Sequence, residues 1–222
     1  MINIIKSQPS PPCLSIEKDK ANGDYKCEGV LNKLVDDFHN KCYICEEKAP
    51  STMNVEHFKP HKGNKELKFD WNNLFLACGH CNNIKLAKYD DIIDCTDSSR
   101  LVLDLLKFQI NPFPGEKVEI LPLTTDKEVN LTAKFLNEVY NGTTELKTIE
   151  GKNIRDKLLN EIIGFQKLLF EYFEDGISQE DKLDIRKKIK QRLSSESGFT
   201  AFKFWVIKNN DVLLVEFGDL IN

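Results

Sequence analysis

Ala77 to Lys85 reads ACGHCNNIK: two cysteines three apart run straight into two asparagines, with a lysine three after the first of these. A second pair stands upstream, Cys42 and Cys45 in CYIC, with 32 residues between the pairs. Four thiolates in two such knuckles suit one tetrahedral zinc ion, which prefers sulfur and nitrogen ligands. Neither pair is expected in the strand-then-helix, thioredoxin-like setting of a redox Cys-x-x-Cys. His39, at the end of a helical stretch, and His80, inside a knuckle, displace none of the four. The reading is a structural zinc held by Cys42, Cys45, Cys78 and Cys81, with its coordination closed and no open position for chemistry. Whatever reacts then lies in the segment that the cysteines frame.

Size and composition leave room for that segment to be part of something larger. The chain has 222 residues, 41% apolar and 30% charged, which is the profile of a globular protein with ample surface to bury. No run approaches the length of a membrane span, and the opening MINIIKSQPSPPCL is too short in apolar residues for a signal peptide, so a cytoplasmic location is expected. In a reducing compartment cysteines serve as ligands or buried thiols more often than as disulfides, and Cys13, Cys27 and Cys95 receive no role. A net charge of −4 argues against indiscriminate nucleic-acid binding by the whole surface. Locally the balance reverses: from His57 to Lys88 six lysines face only Glu66 and Asp70.

Inside the frame stand Glu56 and His57, then Asn72, Asn73 and Leu74, then Asn82 and Lys85. Taken as CYIC, EH, NL, CGHC and CNNIK, this order resembles the HNH nuclease family of the ββα-metal fold, over about residues 40 to 90. Glu56 stands where many members have Asp, and Asn82 where the last His of the family name stands. A carboxylate one methylene longer and an amide carbonyl both offer hard oxygens to a divalent cation. The resemblance implies one catalytic Mg2+ or Mn2+ on Glu56 and Asn82, with His57 as general base. It implies that Asn73 orients the imidazole or braces the loop, and that Lys85 contacts phosphate, with Lys59, Lys62 and Lys88 as further phosphate candidates. His61 is read first as a loop histidine. Over its wider context the chain is similar to the HNH subunits of Septu-type anti-phage defence systems, which implies an ABC-type ATPase partner protein and DNA as substrate. The motif leaves RNA open as a substrate. The competing class is a zinc-stapled module that binds nucleic acid or protein without cleaving.

The remaining pattern predicts an α+β protein, a zinc-stapled ββα-metal core with a mainly helical C-terminal half, divided at about residue 100 into a lead-in plus core (1–100) and a helical region (101–222). Val30, Leu31, Leu34, Val35 and Phe38 recur at helical spacing. MNVEHF and LKFDW are expected as the two strands of a hairpin, with KPHKGNKE as its turn, and a helix is expected from near Cys81 through NNIKLAKYDD. Beyond residue 100, KVEILPL suggests a strand. Ile154 to Phe173 marks a long helix ended by EDG. KLDIRKKIKQR, residues 182–192, marks a basic one with six cationic side chains against Asp184, ahead of FTAFKFWVIK.

Overall fold

The computed structural model describes residues 1–86 and 88–221. The chain enters extended, its Ile4 amide bonded to the Cys95 carbonyl at 2.8 Å. It forms a short helix α1 (Cys13–Lys18) and, after Gly29 at φ +86°, helix α2 (Val30–Asp37). A side chain at that left-handed φ would be strained, so glycine sets the entry angle of α2. Val30, Leu34 and Phe38 are then fully buried, as their spacing predicts. Cys13 and Cys27 are joined in a disulfide, Cα to Cα 6.0 Å. That corrects the reading of both as unassigned thiols: the turn between α1 and α2 brings them within bonding reach, a placement that compartment-based reasoning does not address.

Strand β1 (Met53–His57) pairs antiparallel with β2 (Leu74–Cys78), Met53 opposite Cys78 and His57 opposite Leu74. The second strand therefore falls on LFLAC, not on LKFDW. All five residues of β2 are buried, and a fully buried strand reads as a continuous apolar run without the expected alternation. LKFDW instead closes the four-residue helix α3 (Lys65–Lys68), capped by the Asn64 side chain, and opens a 3-10 turn, Trp71–Asn73, capped by Asp70. Helix α4 (Gly79–Lys85) begins where the Cys78 thiol accepts the Cys81 amide at 3.5 Å, and ends at Lys85. The helix expected through Asp91 stops there, with Leu86 at φ +37°; Ala87, within that expectation, lies outside the described residues.

In the second half, α5 (Val102–Leu105) leads into β3 (Leu106–Ile110), which pairs antiparallel with β4 (Val118–Pro122). Helix α6 (Lys127–Asn141), not among the expected elements although Val129, Ala133, Leu136 and Tyr140 recur at helical spacing, covers β4. Its Asn137 and Asn141 amides bond both backbone groups of Ile120 and Val118 at 2.8 to 3.1 Å, so side chains satisfy an edge that a further strand would otherwise occupy. Helices α7 (Glu145–Tyr172), α8 (Gln179–Leu193), α9 (Thr200–Lys208) and α10 (Asp211–Phe217) complete the layer. In α8 the basic run is partly neutralised: Arg186 pairs with Asp219 at 2.7 Å, Lys187 with Asp184 at 2.8 Å, and Arg192 with Glu161 at 2.8 Å.

One apolar core crosses the middle of the chain, Phe38, Tyr43 and Phe75 packing in the same cluster as Val139, Tyr140 and Phe202. A smaller cluster joins α7 to α10 through Phe165, Ile189, Ile207 and Phe217. The described residues include no helix long and apolar enough to cross a membrane.

Candidate functional site

The four cysteines come together as their spacing predicts. All are buried, with Cys42 and Cys45 on the loop after α2, Cys78 ending β2 and Cys81 in α4. The second pair does stand between a strand and a helix, against expectation, and it is the two further sulfurs beside it that favour a metal over a redox pair. Their sulfurs lie within 4.8 Å of one another. Tetrahedral zinc with Zn–S bonds of about 2.3 Å places its sulfurs about 3.8 Å apart, and those of Cys45 and Cys78 are 4.0 Å apart. The donor set therefore fits zinc. Burial works to raise the Cys42 thiol, but the neighbouring sulfurs outweigh it and hold Cys42 well below the usual range; burial and the same neighbours push Cys81 up. Four thiolates in so dry a place require a cation. The histidines have other partners: His80 bonds Glu150 at 2.7 Å and the Val139 carbonyl at 2.8 Å, and His39 meets the Ser195 hydroxyl at 3.3 Å.

The cluster aligns the elements beside it. The Tyr43 amide bonds the Leu76 carbonyl at 3.0 Å, seating the first knuckle on β2, while Cys78 and Cys81 fix where α4 leaves the hairpin. The end of β1 and the body of α4 then border a cleft of about 450 Å³ lined by Glu56, His57, His61, Lys62, Asn82 and Lys85, among others.

Glu56 is buried at one wall. The Tyr43 hydroxyl donates to its Oε1, and the Lys85 ammonium lies 3.6 Å from its Oε2. Burial raises its carboxyl to about 7, with Lys85 and Tyr43 pulling the other way. The Asn82 side chain, half-buried, makes no hydrogen bond among the described residues. Together they present hard oxygen donors of the kind that magnesium and manganese take, and Glu56 keeps lone pairs beyond those that Tyr43 and Lys85 engage.

His57 is half-buried at the end of β1. Its Nε2 lies 3.0 Å from the Lys68 carbonyl. A carbonyl only accepts, so Nε2 carries the proton and Nδ1 keeps a free lone pair. Burial lowers the imidazole below its ordinary value, against the Lys68 hydrogen bond. Two rings flank it edge-to-face, Tyr25 at 4.5 Å and His61 at 4.7 Å between centroids.

Asn73 is buried and bonds the Lys59 amide at 2.7 Å, the Lys59 carbonyl at 2.9 Å and the Leu67 carbonyl at 3.0 Å. Of the two tasks the resemblance leaves open, this geometry matches bracing of the loop after β1; the imidazole is held by Lys68.

The lysines are placed differently from their expected role at phosphate. Lys85 is buried, its ammonium donating to the carbonyls of Phe58 at 2.8 Å and His57 at 3.3 Å. It faces inward because it lies one turn after Cys81, on the face of α4 that buries Cys81 and Ile84, and it neutralises Glu56 there. Lys59 pairs with Asp91 at 3.1 Å, and Lys88 with Glu138 at 2.8 Å. Lys62 is exposed at the cleft with no ion pair among the described residues. Sequence reasoning missed Tyr43 and Tyr25 altogether; single tyrosines carry no spacing signal.

Residues 42–88 match the family model of the HNH endonucleases, a segment that takes in both knuckles, the hairpin and α4. No curated protein matches the chain.

Proposed function

We propose that the protein is a metal-dependent HNH endonuclease that hydrolyses DNA phosphodiester bonds. The observation that carries this reading is the convergence of Glu56, His57 and Asn82 on one cleft, at the foot of a hairpin fastened by four cysteines. Glu56 and Asn82 would hold a divalent cation, magnesium or manganese. When bound, such an ion neutralises charge on the phosphate and on the oxygen that leaves.

His57 supplies the general base. Because burial lowers its pKa, the ring is neutral at neutral pH, and Nδ1 can accept a proton from the water that attacks phosphorus. The new P–O bond forms as the ester bond breaks, the water's proton rests on the imidazole, and the leaving oxygen takes a proton from solvent. The Lys68 carbonyl fixes the tautomer and stabilises the ring once it is charged. Lys85 acts beneath the site, balancing Glu56 and tying α4 to β1, while Lys62 meets phosphate at the mouth. Asn73 keeps the intervening loop in shape.

The test is nicking of supercoiled plasmid by the full chain in magnesium or manganese. His57→Ala should lower the single-turnover rate by about 10²- to 10⁴-fold and leave DNA half-saturation unchanged. Equal rates for wild type and variant would remove His57 from the mechanism. One observation favours the second reading, a module that binds without cleaving: Lys85 already partners Glu56 at 3.6 Å. Tight DNA binding with no nicking in either metal would decide for it, and cleavage of RNA alone would change the substrate.

Support for an anti-phage role with an ABC-type ATPase partner comes from the sequence resemblance to Septu-type HNH subunits. Purification from the native cell tests it, with an ATPase in the same complex as the expected result and a chain recovered alone as the contrary one.

A further inference from the structure

The stapled segment 13–27 precedes every residue given a chemical task, yet it ends against His57. Tyr25 lies two residues before Cys27, is half-buried, and places its ring centroid 4.5 Å from that of His57 at an interplanar angle of 61°. It lines the same cleft as Glu56 and Asn82. The segment has little freedom to move away. The Cys13–Cys27 bond closes it into a loop. Lys68 donates to the Gly23 carbonyl at 2.7 Å and Lys65 to the Lys20 carbonyl at 3.2 Å. Gly23 itself crosses α1 so closely that a Cβ would fall 1.8 Å from the Glu17 carbonyl oxygen, so the crossing requires glycine.

Lys68 thus works in two directions, its carbonyl on His57 Nε2 and its ammonium on the loop that carries Tyr25. A single hydrogen bond leaves an imidazole free to rotate about its axis and to exchange tautomers. Aromatic contact with Tyr25, together with that of His61, restricts that rotation.

We propose that Tyr25 is a positioning residue of this site: its ring, held in place by the Cys13–Cys27 loop, keeps the His57 imidazole oriented with Nε2–H on Lys68 and Nδ1 toward the cleft. This rests on reading His57 as the general base, and it extends the functional unit upstream of the framed segment, to Cys13.

The experiment uses full-length protein carrying its zinc, with nitrogen-15 in the histidines. Long-range proton–nitrogen correlation reads the His57 tautomer without any substrate, and plasmid nicking under single turnover gives the rate and the half-saturating DNA concentration. Wild type should show one Nε2–H tautomer. Tyr25→Leu keeps much of the bulk but removes the ring edge; it should mix the tautomers and lower the rate about three- to tenfold, the range an aromatic pair can contribute, with half-saturation unchanged. Tyr25→Phe should restore both. Cys27→Ser, which frees the loop without touching Tyr25, should reproduce part of the loss. A wild-type tautomer and rate in Tyr25→Leu would overturn the proposal, and so would equal losses in the Leu and Phe variants, which would make the hydroxyl the active part. If tautomers mix in Tyr25→Leu but no form of the protein cleaves DNA, the positioning stands and the nuclease reading fails.

Discussion

Between Cys42 and Lys85 the chain has two strands of five residues and helices of four and seven; from Lys127 to Phe217 it has helices of 15, 28, 15, nine and seven. Elements as short as the first set do not hold a fixed geometry by themselves; they share one apolar core with the helical layer, and four sulfurs drawn to one point fix the corner where the hairpin meets α4. The long helices need no such point, because α7 alone contributes Ile154, Leu158, Ile162 and Phe165 to buried clusters. The contrast suits the tasks. A site that, as proposed, sets a carboxylate, an imidazole and an amide on one cleft would gain from a corner fixed by zinc, whereas the helical layer seats that corner. The seating is visible in bonds that cross between the regions: Tyr140 to the Cys45 carbonyl at 2.8 Å, His80 to Val139 at 2.8 Å and Lys41 to the Ser197 carbonyl at 2.9 Å.

The harshest way to break the comparison is to remove the metal. Structural zinc binding contributes on the order of 10 kcal/mol in small domains. A strong chelator, or Cys78→Ser, should therefore cost β1 and β2 their amide protection in hydrogen exchange, and abolish cleavage, while amides in α7 and α8 stay protected. Uniform loss would show one cooperative unit in place of two differently held regions. Full protection everywhere would show that zinc does not fasten the hairpin. A complementary cut in the other region is Phe165→Ala, at a fully buried position of the α7–α10 cluster. It should cost about 3 to 5 kcal/mol in urea unfolding and leave zinc content at one per chain; zinc loss from this variant would mean that the corner depends on the distant cluster.

The seam is the next and smaller target. Tyr140→Phe removes the hydroxyl that reaches Cys45, keeps the ring packed on Phe202 at 5.4 Å, and leaves a buried carbonyl without that donor. The expected cost is about 1 to 2 kcal/mol, together with faster zinc transfer to a competing chelator. Unchanged transfer would show that the layer covers the knuckle without steadying it.

The two regions also differed in how far the sequence revealed them. The cysteine cluster was legible because ligands and their spacing are local signals, and the helices at Val30 and Ile154 because their apolar residues recur with a helical period; Glu56, His57 and Asn82 were singled out by the family resemblance, and the structure sets them on one cleft. Strand β2 was displaced onto LKFDW because a strand buried on both faces has no alternation to read, whereas α6 went unread although Val129, Ala133, Leu136 and Tyr140 recur at helical spacing. The inward course of Lys85, the pairing of Lys59 and Lys88, and the arrival of Tyr25 at His57 are consequences of tertiary packing. A lysine-rich segment reads as a charged surface until the structure shows that its ammonium groups, Lys62 excepted, are bonded to carbonyls and carboxylates. The Cys13–Cys27 bond belongs with these, since two lone cysteines carry no motif.

The smallest effect at neutral pH separates the ways in which each region tolerates buried charge. Lys203 of α9 is fully buried, 3.2 Å from Glu161 and 2.6 Å from the Ser197 hydroxyl, and burial lowers its pKa from 10.5 to about 8 in spite of Glu161. In the unfolded chain the amine keeps its proton up to about 10.4, so between about 8 and 10.5 the unfolded state binds more protons, and stability contributed by this group rises with pH across that window. The gain is at most about 3 kcal/mol, because each tenfold difference in proton affinity between the folded and unfolded amine is worth about 1.4 kcal/mol. Lys203→Met keeps the stem, removes the charge, and leaves Glu161 its partner Arg192 at 2.8 Å. Its stability at pH 7 should equal or slightly exceed that of wild type, because a well-packed apolar side chain replaces a buried ion without loss, and its pH curve from 8 to 10 should be flatter. Urea midpoints at half-unit steps of pH, with zinc content checked at each, give the comparison. A variant as steep as wild type would move the titration to another group, and one destabilised by several kcal/mol would show that the helical layer, like the zinc corner, relies on a buried charge for its geometry.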